Sequence, residues 1–262
     1  MNDFVLIALI TLGVILVALA LLYGAHYKAS RSLEQLPVNY KQILEKHVAF
    51  YRRLDANQKK FFEDRVLHFL SSIRITGVHT AVEEIDRVLV GASAIIPIFA
   101  FPRWEYVNLN EVLLYPETFG ENFETAGGNR VIMGMVGDGA MQRVMILSKH
   151  ALRDGFSNKT DKANTAIHEF VHLVDKTDGY ADGVPEILMQ QKFVLPWLEL
   201  AHKKIEEMMK GRSDINLYGA TNMAEFLAVA AEYFFERPDL LEEKHPDLFK
   251  MLENIFIPPV KL

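Results

Sequence analysis

The segment His168-Glu169-Phe170-Val171-His172 places two histidines and a glutamate at a spacing that can bind a metal ion. On a helix, residues four apart lie on one face about one turn apart, so both imidazoles can reach the same cation. Glu169 then projects beside them, where it can act as a base. The surrounding residues are apolar, which indicates a buried helix whose polar side chains need partners. A pair of hydrogen-bonded core histidines without a metal is the alternative interpretation.

A third protein ligand is expected, because catalytic zinc is usually held by three side chains and keeps one position open for water. The segment 220–238 carries three glutamates whose spacing puts them on one face of a helix: Glu225, Glu232 and Glu236. Glu232 has the most apolar neighbours, and a cation would offset the cost of burying its carboxylate. We therefore predict Glu232 as the third ligand. Glu225 is the second choice, with a predicted role in orienting a ligand histidine or a catalytic group, and Glu236 is predicted to be solvated.

Two further side chains are candidates for the reaction. Tyr218 precedes the glutamate-bearing segment and is either a hydrogen-bond donor to a tetrahedral oxyanion or a packing residue. Asp175 either hydrogen-bonds a ligand imidazole or caps the end of the motif helix. With one Zn²⁺ per chain and Glu169 as general base, these residues favour hydrolysis of a peptide bond by an activated water. The segment Arg143–Lys149 is predicted to be a strand whose edge can pair with an extended peptide substrate.

Composition narrows the class of protein. The chain has 262 residues, of which 50% are hydrophobic and 24% charged, with a formal net charge of −6. Such a chain is not intrinsically disordered, and it lacks the basic surface of a nucleic-acid-binding protein, so no nucleic-acid partner is expected. The absence of cysteine excludes disulfides, a thiol nucleophile and cysteine-ligated zinc. Any metal must therefore be held by histidine, aspartate or glutamate.

Residues 4–24 form an uncharged apolar run. As a helix this run is about 31 Å long, which matches the hydrocarbon core of a bilayer. A buried core helix and a cleaved signal peptide are the alternatives, but no Lys or Arg precedes the run, as a signal peptide would require. Lys28 and Arg31 follow the run and Asp3 precedes it, so the positive-inside rule puts the rest of the chain in the cytoplasm. We predict a retained single-pass anchor in the cytoplasmic (inner) membrane.

This anchor is assigned to residues 1–29 and the catalytic domain to residues 30–262. The domain is predicted to be α+β, mostly helical with a small central sheet. Periodicity and composition predict helices over 30–54, 57–74, 81–93, 162–176, 185–210, 220–236 and 239–256, and strands over 75–80, 105–116, 130–137 and 143–149. Asn57 is the expected N-cap of the second helix, and Gly137-Asp138-Gly139 indicates a hairpin between the last two strands.

Three separated segments resemble the Mlc titration factor A family of zinc-dependent peptidases: VMILSKHAL (144–152), HEFVHLVDKTDG (168–179) and ATNMAEFLAVAAEYFFERP (220–238). The resemblance covers roughly residues 40–258. It implies a zincin-like, more narrowly gluzincin-like, catalytic core similar in plan to the protease domain of anthrax lethal factor. It also implies that His168, His172 and Glu232 bind zinc, that Glu169 is the base, and that the activity is aminopeptidase-like. An Mlc-like transcriptional repressor is the regulatory partner that the family suggests, so a zinc-containing protein that acts by binding such a repressor is the alternative function.

Overall fold

The computed structural model describes Gly13 and residues 37–117, 134–136, 143–157 and 162–257. Apart from Gly13, the predicted membrane anchor lies outside these residues, and so does the predicted hairpin at Gly137-Asp138-Gly139. No helix within the described ranges is both long enough and apolar enough to cross a bilayer.

The described residues form a mostly helical α+β domain with a small sheet, as the sequence predicts. The helices are α1 (Tyr40–His47), α2 (Ala49–Arg52), α3 (Ala56–Ser72), α4 (Glu84–Ile95), α5 (Lys149–Ser157), α6 (Thr165–Asp175), α7 (Val194–Met209), α8 (Met223–Glu236), α9 (Pro238–Lys244) and α10 (Pro246–Phe256). The strands are β1 (Arg74–Gly77), β2 (Glu111–Tyr115), β3 (Gly134–Val136) and β4 (Val144–Ser148). Short 3-10 turns lie at Ile96–Ile98, Lys176–Asp178, Gln191–Phe193 and Leu217–Ala220.

Local signals explain where several helices begin, including places where the predicted bounds were wrong. Asp55, and not Asn57, caps α3, because its carboxylate accepts hydrogen bonds from the backbone N–H groups of Asn57 and Gln58. Pro246 divides the predicted helix 239–256 into α9 and α10, since proline is favoured in the first turn of a helix but interrupts a helix interior. Helix α5 follows β4 without a loop and was absent from the prediction.

The sheet is mixed, with the strand order β1-β2-β4-β3. Strands β1, β2 and β4 run parallel, and β3 runs antiparallel to β4. Because β4 pairs with β2 on one side and with β3 on the other, the prediction that residues 143–149 offer a free edge is wrong. Within the described part of the sheet, β3 is the edge strand on this side.

One face of the sheet packs against the helices, and the other carries a separate small apolar cluster. Met145 and Leu147 of β4 are buried in the main core. Ile146, which alternates with them, packs with Tyr115 and Met135 on the opposite face. Helices α6 and α8 lie side by side within the main core. This pairing brings the motif helix next to the helix that carries the three glutamates.

Candidate metal centre

Helix α6 holds the two motif histidines on one face and core residues on the other. It begins after Asn164, whose side-chain oxygen accepts the N–H of Ile167. Phe170 and Val171 are fully buried, and the Phe170 ring packs against Tyr106 at a centroid distance of 5.2 Å. These contacts fix the rotation of the helix about its axis. The histidine face is therefore turned away from the aromatic core.

Three side-chain atoms converge on one point beside α6. His168 Nε2 lies 3.0 Å from His172 Nε2 and 2.9 Å from Oε2 of Glu225, and His172 Nε2 lies 3.4 Å from the same oxygen. A tetrahedral zinc ion with ligands at 2.0–2.1 Å separates its ligand atoms by about 3.3 Å. The spacing therefore fits a small divalent cation. Among the residues that the structure describes, His168, His172 and Glu225 form the group of histidine and acidic side chains suited to hold a metal.

Glu232 lies on the opposite side of the His168 ring. Its Oε1 is 2.7 Å from His168 Nδ1, and its Oε2 accepts the backbone N–H of Asn164 at 2.5 Å. Glu225 thus occupies the place in the cluster that was predicted for Glu232, and Glu232 has the orienting contact that was predicted for Glu225. The buried carboxylate of Glu232 therefore has hydrogen-bond partners in the His168 ring and the backbone of Asn164.

Glu236 is not the fully solvated residue that the sequence predicts. It is half-buried, and its Oε1 accepts a hydrogen bond from Asn164 Nδ2 at 2.9 Å. Its position at the end of α8 suggested that Glu236 is exposed to solvent. In the structure, Asn164 at the start of α6 contacts it instead.

The cluster opens into a cleft of about 620 Å³. Gly134 and Met135 of β3 line one part of it, and Tyr218 and Lys176 line others. Tyr218 is 55% exposed, and its ring centroid lies 6.0 Å from that of His168. The same cleft is therefore lined by His168, His172 and Glu225 and by the side chains of Glu169 and Tyr218.

Comparison with known proteins agrees with this arrangement. The family model described as glucose-regulated metallo-peptidase M90 matches residues 25–257. The chain belongs to this family. It is therefore a metallopeptidase with a His–His–Glu group suitable for a metal, and the family resemblance that the motifs predicted is confirmed.

Several curated proteins are similar to this chain over much of its length. A Synechocystis protein named slr2042 is 26% identical over 235 residues, which are 84% of each chain. Mlc titration factor A of Edwardsiella ictaluri is 31% identical over 153 residues, 53% of this chain and 57% of the relative. Mlc titration factor A of Pectobacterium atrosepticum is 26% identical over 175 residues, 62% of this chain and 64% of the relative. The match thus spans about three fifths of these two titration factors.

Burial and hydrogen bonds shift the pKa values of Glu169, Glu225 and His168 in different ways. Burial raises the pKa of Glu169 above its ordinary value, and the nearby histidines oppose this effect in part. For Glu225, burial also raises the pKa, but the hydrogen bonds from His168 and His172 bring it below its ordinary value. Burial lowers the pKa of His168, while its hydrogen bonds with Glu225 and Glu232 raise it to about 10. The pKa of Glu169 is thus shifted upward, whereas that of Glu225, in the same cleft, is shifted downward.

Asp175 forms a hydrogen bond with the loop that follows α6 and not with a ligand imidazole. Its Oδ2 accepts the N–H of Gly183 at 2.8 Å, while its Oδ1 is buried without a hydrogen-bond partner. Burial raises the pKa of this carboxyl to about 6. Gly183 has φ +78°, and a Cβ there would lie 2.3 Å from the carbonyl oxygen of Met223. The sequence predicted that Asp175 binds an imidazole or caps the helix, and neither role includes this contact with the following loop. The only sequence signal for the contact is the glycine at position 183.

Proposed function

We propose that this M90 metallopeptidase hydrolyses peptide bonds with a Zn²⁺ ion held by His168, His172 and Glu225. The observation that carries the proposal is the convergence of two Nε2 atoms and one carboxylate oxygen beside the buried Glu169 in an open cleft. Two imidazoles and one carboxylate are a donor set that suits zinc better than magnesium or calcium. When bound, the ion would polarise the scissile carbonyl and lower the pKa of a water molecule.

Side chains of the protein then transfer the proton of the water molecule and stabilise the negative charge of the transition state. Glu169 accepts the proton of the attacking water and passes it to the leaving amine. The Tyr218 hydroxyl donates a hydrogen bond to the oxyanion that develops in the transition state. Glu232 accepts a hydrogen bond from Nδ1–H of His168 and so orients the ring with its Nε2 atom toward the metal position.

We propose that the peptide substrate lies along β3. This strand is at the edge of the described sheet, and its residues Gly134 and Met135 line the cleft. Pairing with a strand edge uses main-chain hydrogen bonds, so it tolerates many substrate sequences. Amino-acid anilides and internally quenched peptides with blocked termini distinguish an aminopeptidase from an endopeptidase, because only an endopeptidase cleaves the blocked peptides.

Replacing Glu169 by glutamine tests the reaction. Glu169→Gln keeps the size of the side chain but removes the base, so we expect hydrolysis to fall by about 10²–10⁴-fold. Elemental analysis should still find one zinc per chain, because Glu169 is not in the ligand group. Glu206→Gln is a matched control, since Glu206 is an exposed residue of α7 paired with Lys210. Full activity of Glu169→Gln, or a wild-type protein that binds no zinc, would contradict the proposal.

The names of the relatives favour a second candidate function. Proteins called Mlc titration factor A match this chain, so a role in binding a transcriptional repressor is the alternative. Glu169→Gln separates the two functions in cells. A peptidase loses its cellular effect with this substitution, whereas a protein that acts by binding keeps it.

We also propose that residues 4–24 tether the domain to the inner membrane with residues 30–262 in the cytoplasm. The support is the apolar run and the Lys and Arg residues that follow it. The full chain should stay in the membrane fraction after a carbonate wash, and a chain that starts at residue 30 should be released. Protease added to spheroplasts should leave the domain intact. A full chain found in the wash, or a domain digested from outside, would contradict this location.

A further inference from the structure

Gly134 of β3 lies directly against the side chain of Glu169. A Cβ atom built on Gly134 would lie 2.6 Å from Cγ, 2.7 Å from Oε1 and 2.9 Å from Cδ of Glu169. Nonbonded carbon atoms prefer a separation of about 3.5–4.0 Å. The Glu169 side chain therefore occupies the space that any side chain at position 134 would need.

The pairing of β3 explains why the two residues meet. Gly134 pairs with Leu147, and Met135 pairs with Ile146. Leu147 is on the face of the sheet that packs against the helices, whereas Met135 and Ile146 are on the other face. A side chain at position 134 would thus project from β3 toward α6. A glycine within a strand often marks such a close approach of another group.

The Glu169 side chain can move away from β3 only toward the cleft. The residue is only 7% exposed, and its free side is the cleft that holds the metal cluster. A group that pushes Glu169 away from β3 therefore changes the position of its carboxylate relative to His168 and His172. The backbone of β3 at Gly134 therefore limits how far the Glu169 side chain can lie from the cleft.

We propose that Gly134 is a positioning residue, whose missing side chain sets where the Glu169 carboxylate stands relative to the metal cluster. The inference rests on the proposed function, in which Glu169 is the general base. Misplacing a catalytic group by about 1 Å can cost on the order of 100-fold in rate. The same strand would then both bind the substrate and fix the base.

Gly134→Ala is the direct test. We expect kcat to fall on the order of 100-fold with little change in KM. The zinc content and the visible spectrum of the cobalt-substituted protein should stay those of the wild type, because the three ligand side chains are not touched. A crystal structure of Gly134→Ala should show a displaced Glu169 carboxylate. An unmoved carboxylate, or a kcat equal to that of the wild type, would overturn the inference.

A second substitution isolates the contact itself. Glu169→Ala removes all three atoms that a methyl group at position 134 would overlap. Gly134→Ala should therefore have little further effect on the residual kcat in the Glu169→Ala background, which is a non-additive double-mutant cycle. Equal effects in both backgrounds would mean that position 134 acts independently of Glu169. If Gly134→Ala alone does not fold, folding of the double variant supports the contact and its failure to fold contradicts it.

Gly91→Ala controls for damage to packing. A Cβ on Gly91 of α4 would lie 2.9 Å from Cγ1 of Val66 in the core, which is also closer than carbon atoms normally pack. This variant should change the Tm but leave kcat unchanged. A zinc-loaded wild-type protein that cleaves no peptide would contradict the proposed function, whereas an active wild type with an equally active Gly134→Ala variant would contradict only the role of Gly134.

Discussion

Glu225 and Glu232 lie seven residues apart on one face of α8, yet they meet opposite nitrogens of the same imidazole. The side chain of Glu225 is 17% exposed and lines the cleft, whereas that of Glu232 is 9% exposed and forms hydrogen bonds with His168 and Asn164. A catalytic metal must remain open on one side. The less buried of the two carboxylates therefore fits the ligand position better.

This difference predicts unequal effects of the same substitution. Glu225→Gln should abolish stoichiometric zinc binding, because it removes a charged oxygen from the cluster. Glu232→Gln should weaken zinc affinity by about 10–100-fold, the usual effect of losing a residue that orients a metal ligand. Competition with a chelator of known affinity measures both constants. A Glu232→Gln variant that loses zinc while Glu225→Gln keeps it would restore the assignment made from the sequence.

The motif residues could be predicted from the sequence, but the choice between the two glutamates could not. A spacing of seven residues puts both glutamates on one face, and the apolar neighbours of Glu232 pointed to the more buried one. Burial alone does not tell whether a carboxylate is compensated by a cation or by hydrogen bonds. The N–H of Asn164, which compensates Glu232, lies 68 residues away in the chain. Only the packing of α6 on α8 brings the two together.

At the scale of elements, Asn164 joins the start of α6 to α8. Its side-chain oxygen caps α6, its Nδ2 donates to the Gly155 carbonyl and to Glu236, and its backbone N–H donates to Glu232. The residue is fully buried. Both site helices are thus aligned by one side chain at their junction.

Asn164→Ala should consequently cost more than the loss of an ordinary cap. Removing a helix cap costs about 1 kcal/mol, and each buried partner left unpaired adds about 1–3 kcal/mol. Urea denaturation measures the change in the free energy of unfolding. Asp55→Ala is the matched control, since Asp55 caps α3 at an exposed site. Equal losses for the two variants would mean that the hydrogen bonds from the Asn164 side chain to Gly155 and Glu236 contribute nothing.

The helical pattern of the second half of the chain was predicted because its apolar residues recur at helical spacing. The sheet was harder, since its strands have only three to five residues. A run such as Arg143–Lys149 indicates a strand but not its neighbours. That β4 is flanked on both sides depends on pairing with β2 and β3, which local sequence does not encode.

At the scale of the molecule, Asp214 connects distant parts of the chain. Its carboxylate accepts hydrogen bonds from Lys162 before α6, from Lys244 and His245 at the junction of α9 and α10, and from Tyr233 of α8. Burial raises the pKa of Asp214, but the donors from Lys162, Lys244 and His245 outweigh this effect and hold the pKa well below its ordinary value. The folded state therefore favours the charged carboxylate.

A lowered pKa in the folded state gives a defined pH dependence. The stabilisation from Asp214 is fully present above its unfolded pKa of about 3.9 and is lost as the pH falls toward the folded value. Asp214→Asn should lower the free energy of unfolding by about 2 kcal/mol at pH 7, and the difference from the wild type should shrink below about pH 4. Denaturation curves across this range measure it. Asp154→Asn, at an exposed pair with His150, should have little effect at any pH.

The faces of α6 and α8 that turn away from the cluster are embedded in the main core. Small zinc domains unfold when chelators strip them, because the ion supplies most of their folding energy. This protein instead has an extensive hydrophobic core, so removal of the metal by a chelator should leave the protein folded but inactive. Zinc would then behave as an exchangeable component, and the amount of working peptidase would follow the supply of the metal in the cell.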